Sequence, residues 1–147
     1  MDLEYIRNQI KKCFDAFYLN DSDLLIRDNY EVTISCKFSQ YLFSEFPKYD
    51  VDCEYNKHID DDKELNGIGI VRPDIVIHKR GTDEKNLVYI EIKTDHNRKS
   101  READYEKVKE ATKQSGRYKY CLGVFIDLNR NKGKSVFKYF KDGKEWI

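Results

Sequence analysis

Residues 70–94 read IVRPDIVIHKRGTDEKNLVYIEIKT, and this stretch decides the fold. β-Branched and aromatic residues crowd 70–79 and 87–94, which marks two strands. Between them, Arg80 to Asn86 is polar and contains Gly81, the composition of a turn. The pair reads as a β-hairpin. With the turn centred on 82–83, opposed residues have numbers summing to 165, so Ile75 faces Ile90, Ile77 faces Val88 and Asp74 faces Glu91. Side chains alternate along a strand, which puts Asp74, Glu91 and Lys93 on one face and a uniform Ile/Val set on the other. A slip of one residue would carry Asp74 across the sheet.

Directly opposed Cβ atoms lie about 4.5–5.5 Å apart, and two carboxylates at that spacing repel unless a cation joins them. Hard divalent ions such as Mg²⁺ favour one or two carboxylates, with water and phosphate oxygens completing the shell. Lys93, two residues beyond Glu91, can meet a water or a scissile phosphate without taking a metal position. The spacing suits phosphodiester hydrolysis. An Asp–Lys–Glu ion-pair cluster at a strand end fits the same spacing.

Working outward, residues 3–18 place Leu3, Ile6, Ile10, Phe14 and Phe17 at steps of three and four, an amphipathic helix. Residues 19–29 are polar and read as loop. The segment 30–46 carries two patterns. Tyr30, Val32, Ile34, Cys36 and Phe38 alternate as a strand would, whereas Ile34, Phe38, Tyr41, Leu42 and Phe46 form a helical stripe ending before Pro47. A strand is expected over 50–56, an acidic loop over 57–68, and a helix over 100–115. That helix has Ser100 as its N-cap, Tyr105, Val108 and Ala111 inward, and Gly116 as its stop. A buried strand over 119–127, a turn at Asn129–Gly133 and a last strand near 135–140 follow. The expected architecture is α/β or α+β, one mixed sheet with helices, in a single domain spanning 1–147.

Composition narrows the function classes. Hydrophobic residues make up 39% and charged residues 37%, so a compact core carries a heavily charged surface. The net charge is zero, but residues 1–75 are acidic and 76–147 basic, which leaves a polyanion-binding half open while excluding a uniformly basic protein. No run approaches the ~18 apolar residues of a membrane span, and the start lacks a signal-peptide pattern, so a cytoplasmic protein is expected. Cys13, Cys36, Cys53 and Cys121 lack zinc-ligand spacing and are read as small buried residues.

Pro73-Asp74 followed at hairpin distance by Glu91-Ile92-Lys93 resembles the PD-(D/E)xK nuclease superfamily, the restriction-endonuclease-like fold. Residues 49–56 and 118–127 also resemble that group's flanking strands, so the likeness covers roughly 28–128. It implies a core order αβββαβ, with 30–46 helical, and a nuclease using Mg²⁺, or Mn²⁺, on DNA. Asp74, Glu91 and the Ile92 carbonyl would hold the metal, Lys93 would place or activate water, and Glu31 would be an accessory acid.

Arg98, Lys99, Arg101 and Lys107, with Lys93, are candidate phosphate contacts. Asp104 and Lys107 resemble recurrent family positions, although an i,i+3 ion pair explains them equally. His78 shares the Asp74 face as a strand-end polar residue, and Asp52 and Glu54 are expected in solvent. Specificity is expected from loops, a second copy of the chain or a partner protein. The competing readings are an RNA-directed nuclease and an inactive nucleic-acid-binding or regulatory module of the same fold.

Overall fold

The structure is a computed structural model describing residues 1–147. Helix α1 spans Leu3–Asp21, with the Asp2 side chain accepting from the Glu4 amide, and buries Ile6, Ile10, Phe14 and Phe17 along one stripe. A short helix α2, Asp23–Ile26, occupies the stretch expected to be loop, because Ser22 and its neighbours close α-type turns. Helix α3 is Glu31–Glu45. The strand alternation at 30–38 is overridden there by tertiary packing: Ile34, Phe38 and Leu42 are fully buried in one core with α1, while Val32 and Cys36 face outward. The helix stops at Glu45, with Phe46 held out of helical geometry ahead of Pro47.

Strand β1, Asp50–Cys53, comes next. The acidic loop over 57–68 contains three two-residue strands: β2 (Lys57–His58), β3 (Asp61–Asp62) and β4 (Glu64–Leu65). Strand β5 (Gly69–Ile70) pairs with β4. The strand expected over 70–79 is broken. β6 covers only Ile75–His78, because Pro73 has no amide to give a ladder and Val71 bonds back to the Lys63 carbonyl instead. Strand β7, Val88–Thr94, pairs with β6 in the expected register: Ile75 with Ile90, Val76 with Tyr89 and Ile77 with Val88.

Helix α4, Glu102–Thr112, then crosses over to β8, Leu122–Leu128, which lies parallel to β7. Its start differs from expectation. Ser100 accepts from the Glu102 amide, but the capping position belongs to Arg101, and the helix ends four residues ahead of Gly116. Val108 and Ala111 are buried as expected. A 3-10 turn at Lys132–Lys134 leads to β9, Val136–Lys141, and then to a strand the pattern reading missed, β10, Lys144–Trp146. Asp142-Gly143, both at positive φ, is the two-residue hairpin signal that would have announced it.

These strands form a mixed six-stranded sheet in the order β1-β6-β7-β8-β9-β10, covered on both faces. One core gathers Ile75, Ile77, Val88, Ile90, Ile92 and Val124 against α1 and α3. The other joins Val76, Tyr89, Tyr120, Phe125 and Phe140 to Val108 and Ala111 of α4. At about 1.5–3 kcal/mol for each fully buried large apolar side chain, these two layers fix the strands whose ends carry the site. Close approach of α4 requires Gly123, where a Cβ would lie 2.4 Å from Val108 Cγ1. Of the four cysteines only Cys13 is buried. Cys36 and Cys121 are exposed and Cys53 is half-buried, so the expectation of buried cysteines holds for one. No helix is long and apolar enough to cross a membrane.

Candidate functional site

At its carboxyl end β7 outlasts β6. The ladder stops at Ile75–Ile90, one residue short of an Asp74–Glu91 pair. Asp74 instead turns its carboxylate into the gap, where Oδ2 accepts from the Ile92 amide at 2.7 Å, replacing the backbone partner that β6 no longer offers. A strand residue directs its N–H and C=O to the same side, so the Ile92 carbonyl also faces this gap.

Glu91 lies on the α4 face and is only 4% exposed. The Tyr89 hydroxyl donates to its Oε1 at 3.0 Å. Sequence reasoning passed over Tyr89; its i,i+2 position on the Glu91 face was the available signal. Burial first, and then the charge of Asp74, raises the Glu91 pKa well above the ordinary range. Burial likewise raises Asp74 to about 6. Glu31 adds to that rise, while the Ile92 amide, a hydrogen bond with Glu91 and the Lys93 charge oppose it. Burial is thus the main cause that holds both carboxyls away from full ionisation, with the Asp74 charge adding to it at Glu91.

Two helices bring further charges. Asp104 of α4, 4% exposed, lies 3.2 Å from Lys93 Nζ through Oδ2 and 3.0 Å from Lys107 Nζ through Oδ1. The expected i,i+3 pair therefore exists, and the same carboxylate also holds Lys93. Burial would lower the Lys107 pKa, but Glu91 and Asp104 outweigh it and raise it. From α3 on the other side, Glu31 Oε2 accepts from the Thr94 amide at 2.8 Å, and Oε1 accepts from Asn97 at 2.8 Å and lies 3.8 Å from Lys93 Nζ. Glu31 is anchored to the end of β7, with Lys93 between it and Asp104.

The remaining candidates separate. Arg101 is committed to internal partners: Asp127 at 2.9 Å and the carbonyls of Thr94, Asn97 and Lys99. Arg98 and Lys99 are exposed. At the other end of the hairpin, His78 and Arg80 bind Asp52, which is half-buried rather than solvated. Glu54 is half-buried too and lies 3.8 Å from Arg72.

No group of three or more His, Cys, Asp or Glu side chains surrounds a common point for a metal. The donors at the gap are two carboxylates and a peptide carbonyl, all hard oxygens, and neither carboxyl makes a direct ion pair, since Lys93 and Lys107 pair with Asp104. That set fits an ion such as Mg²⁺, which keeps much of its shell as water, and does not fit zinc. No model of a known protein family matches the chain, and no curated protein matches it.

Proposed function

We propose that this chain is a restriction-endonuclease-like, metal-dependent nuclease that hydrolyses phosphodiester bonds in DNA in the cytoplasm. The observation that carries the reading is the pair Asp74 and Glu91, brought together beyond the end of β6 with their pKa values pushed up and Lys93 beside them. A structural ion network would place a cation between two such carboxylates. Here the nearest cations, Lys93 and Lys107, are shared with Asp104.

Asp74, Glu91 and the Ile92 carbonyl would hold Mg²⁺, or Mn²⁺. The ion supplies charge neutralisation at the phosphoryl oxygens and a water nucleophile at neutral pH. Lys93 keeps its ammonium at the same strand end, where it orients water or the scissile phosphate. Glu31 and Asp104 position that ammonium from α3 and α4. Target choice would come from loops, a second copy of the chain or a partner protein.

The test is a nuclease assay on DNA and RNA with Mg²⁺ and Mn²⁺, beside calorimetric metal titration. Wild type should bind metal and cleave DNA. Glu91→Ala should lose metal binding, and metal affinity unchanged in that variant would overturn the metal site. One observation favours a second reading, a non-catalytic nucleic-acid-binding module: Lys93 is ion-paired to Asp104 at 3.2 Å and so already has a structural partner. Nucleic-acid binding without cleavage of any substrate would select that reading.

A further inference from the structure

Resting on the nucleic-acid reading above, we propose that the cavity beside Glu31 takes an unpaired nucleotide of the substrate, so that the preferred ligand is single-stranded nucleic acid rather than a continuous duplex.

The cavity measures about 350 Å³ and is lined by Asp28, Asn29, Tyr30, Glu31, His96, Asn97 and Lys99. Its size falls in the range of small-molecule sites. It opens directly against Glu31, which accepts from the Thr94 amide at the end of β7 and lies 3.8 Å from Lys93 Nζ, so a nucleotide there is one side chain away from Lys93. Three features give the ligand its chemistry. Tyr30 caps α3 with 83% of its surface exposed, and its ring packs on no other aromatic residue or cation of the chain. Such a ring is a stacking surface, and bases stack on aromatic side chains with little regard to sequence.

The second feature is charge. Arg98 and Lys99, exposed on the loop leaving β7, pair with no carboxylate, unlike Arg101 and Arg130 nearby. They are free to follow a phosphate backbone. The acids of the cavity are already engaged. Glu31 accepts from Thr94 and Asn97, and Asp28 lies 3.5 Å from His96 Nδ1 and 3.7 Å from Arg130. The third feature is polarity: Asn29 and His96 line the cavity with an amide and an imidazole that a base edge can meet, although His96 Nδ1 itself is buried between Asp28 at 3.5 Å and Asp95 at 3.9 Å. Stacking of this kind needs a base out of its pair, which a blunt duplex does not offer.

The experiment is fluorescence anisotropy in EDTA, so that cleavage and metal play no part, with labelled oligothymidylate, oligouridylate and a blunt duplex. Wild type should bind a single strand about tenfold more tightly than the duplex, and the two single-strand arms tell DNA from RNA. Tyr30→Ala should weaken single-strand binding by about tenfold, whereas Tyr30→Phe keeps it. Lys99→Ala should flatten the salt dependence by a slope of about 0.7. Equal affinity for the duplex, or Tyr30→Ala binding like wild type with an unchanged melting temperature, overturns the proposal. The two readings fail separately. Metal-dependent cleavage with no effect of Tyr30→Ala removes this cavity and leaves the nuclease. Tyr30-dependent binding without cleavage under any metal leaves the cavity and removes the nuclease.

Discussion

One hairpin carries two charged ends that are built in opposite ways. Near the turn, Asp52 of β1 lies across from Val76 and receives His78 Nε2 and Arg80 Nε, each at 2.9 Å. Burial would raise its pKa, but the hydrogen bonds from Arg80 and then His78 outweigh burial and hold the carboxyl below its ordinary range. At the far end, Asp74 and Glu91 come together where the nearest cations, Lys93 and Lys107, are ion-paired to Asp104, and both carboxyls are raised. Carboxylates at the two ends of one hairpin, Asp52 half-buried and Glu91 fully buried, are satisfied in one place and left in conflict in the other. A fold keeps such a conflict where an ion or substrate resolves it, and carboxylates with cations of their own have the geometry of structure.

The largest test of that contrast is catalytic. Lys93→Ala should lower the rate of metal-dependent cleavage by a factor on the order of a hundred or more, as for other positioned electrostatic groups, while Arg80→Ala leaves it unchanged. Lys93→Ala should fold normally, because Asp104 retains Lys107 at 3.0 Å. Steady-state rates beside thermal melts measure both halves of the expectation.

Stability should then divide the two ends by sign. Asp52→Asn breaks the charge-assisted hydrogen bonds from Arg80 and should cost about 2 kcal/mol in denaturant unfolding at pH 8. Glu91→Gln keeps the side-chain shape and a carbonyl for the Tyr89 hydroxyl, yet removes a buried charge beside Asp74. It should stabilise the metal-free protein by about 1 kcal/mol at that pH. Destabilisation by Glu91→Gln would erase the distinction between the ends.

The smallest effect is in the pH profile. Asp74 titrates near 6 in the fold against about 3.9 in an unfolded chain, so the native state binds the extra proton between those values. Its contribution is therefore full below the unfolded value and is lost as pH rises through about 6. Asp52, lowered in the fold, contributes above the ordinary carboxylate range and loses that contribution as pH falls through its depressed value. Asp74→Asn should flatten the decline between about pH 4 and 6 in urea titrations. Mg²⁺ should raise the melting temperature of wild type at pH 8 and leave it unmoved near pH 4, where the carboxyls are protonated.

Much of this was legible from residues alone. The register of β6 on β7 followed from two Ile/Val runs and the length of the turn between them, and the three paired residues meet as their numbers require. α1 followed from its steps of three and four. Both rest on periodicity, which local sequence carries because a strand or helix presents fixed faces to whatever covers it. Over 30–46 that signal was degenerate, since Ile34 and Phe38 satisfy both periods. Only burial against α1 chooses the helix and so delivers Glu31 to Thr94.

The same limit applies to the charges. Spacing placed Asp74, Glu91 and Lys93 at one strand end, but it could not say that Asp104 would arrive from α4 to hold Lys93, or that Arg101 would be consumed by Asp127. Nor could it say that Asp52 would be the carboxylate with cations of its own. Periodicity tells which way a side chain points. Whether a buried charge finds an opposite charge depends on residues far away in the chain, and the packing of α3 and α4 over the sheet decides it.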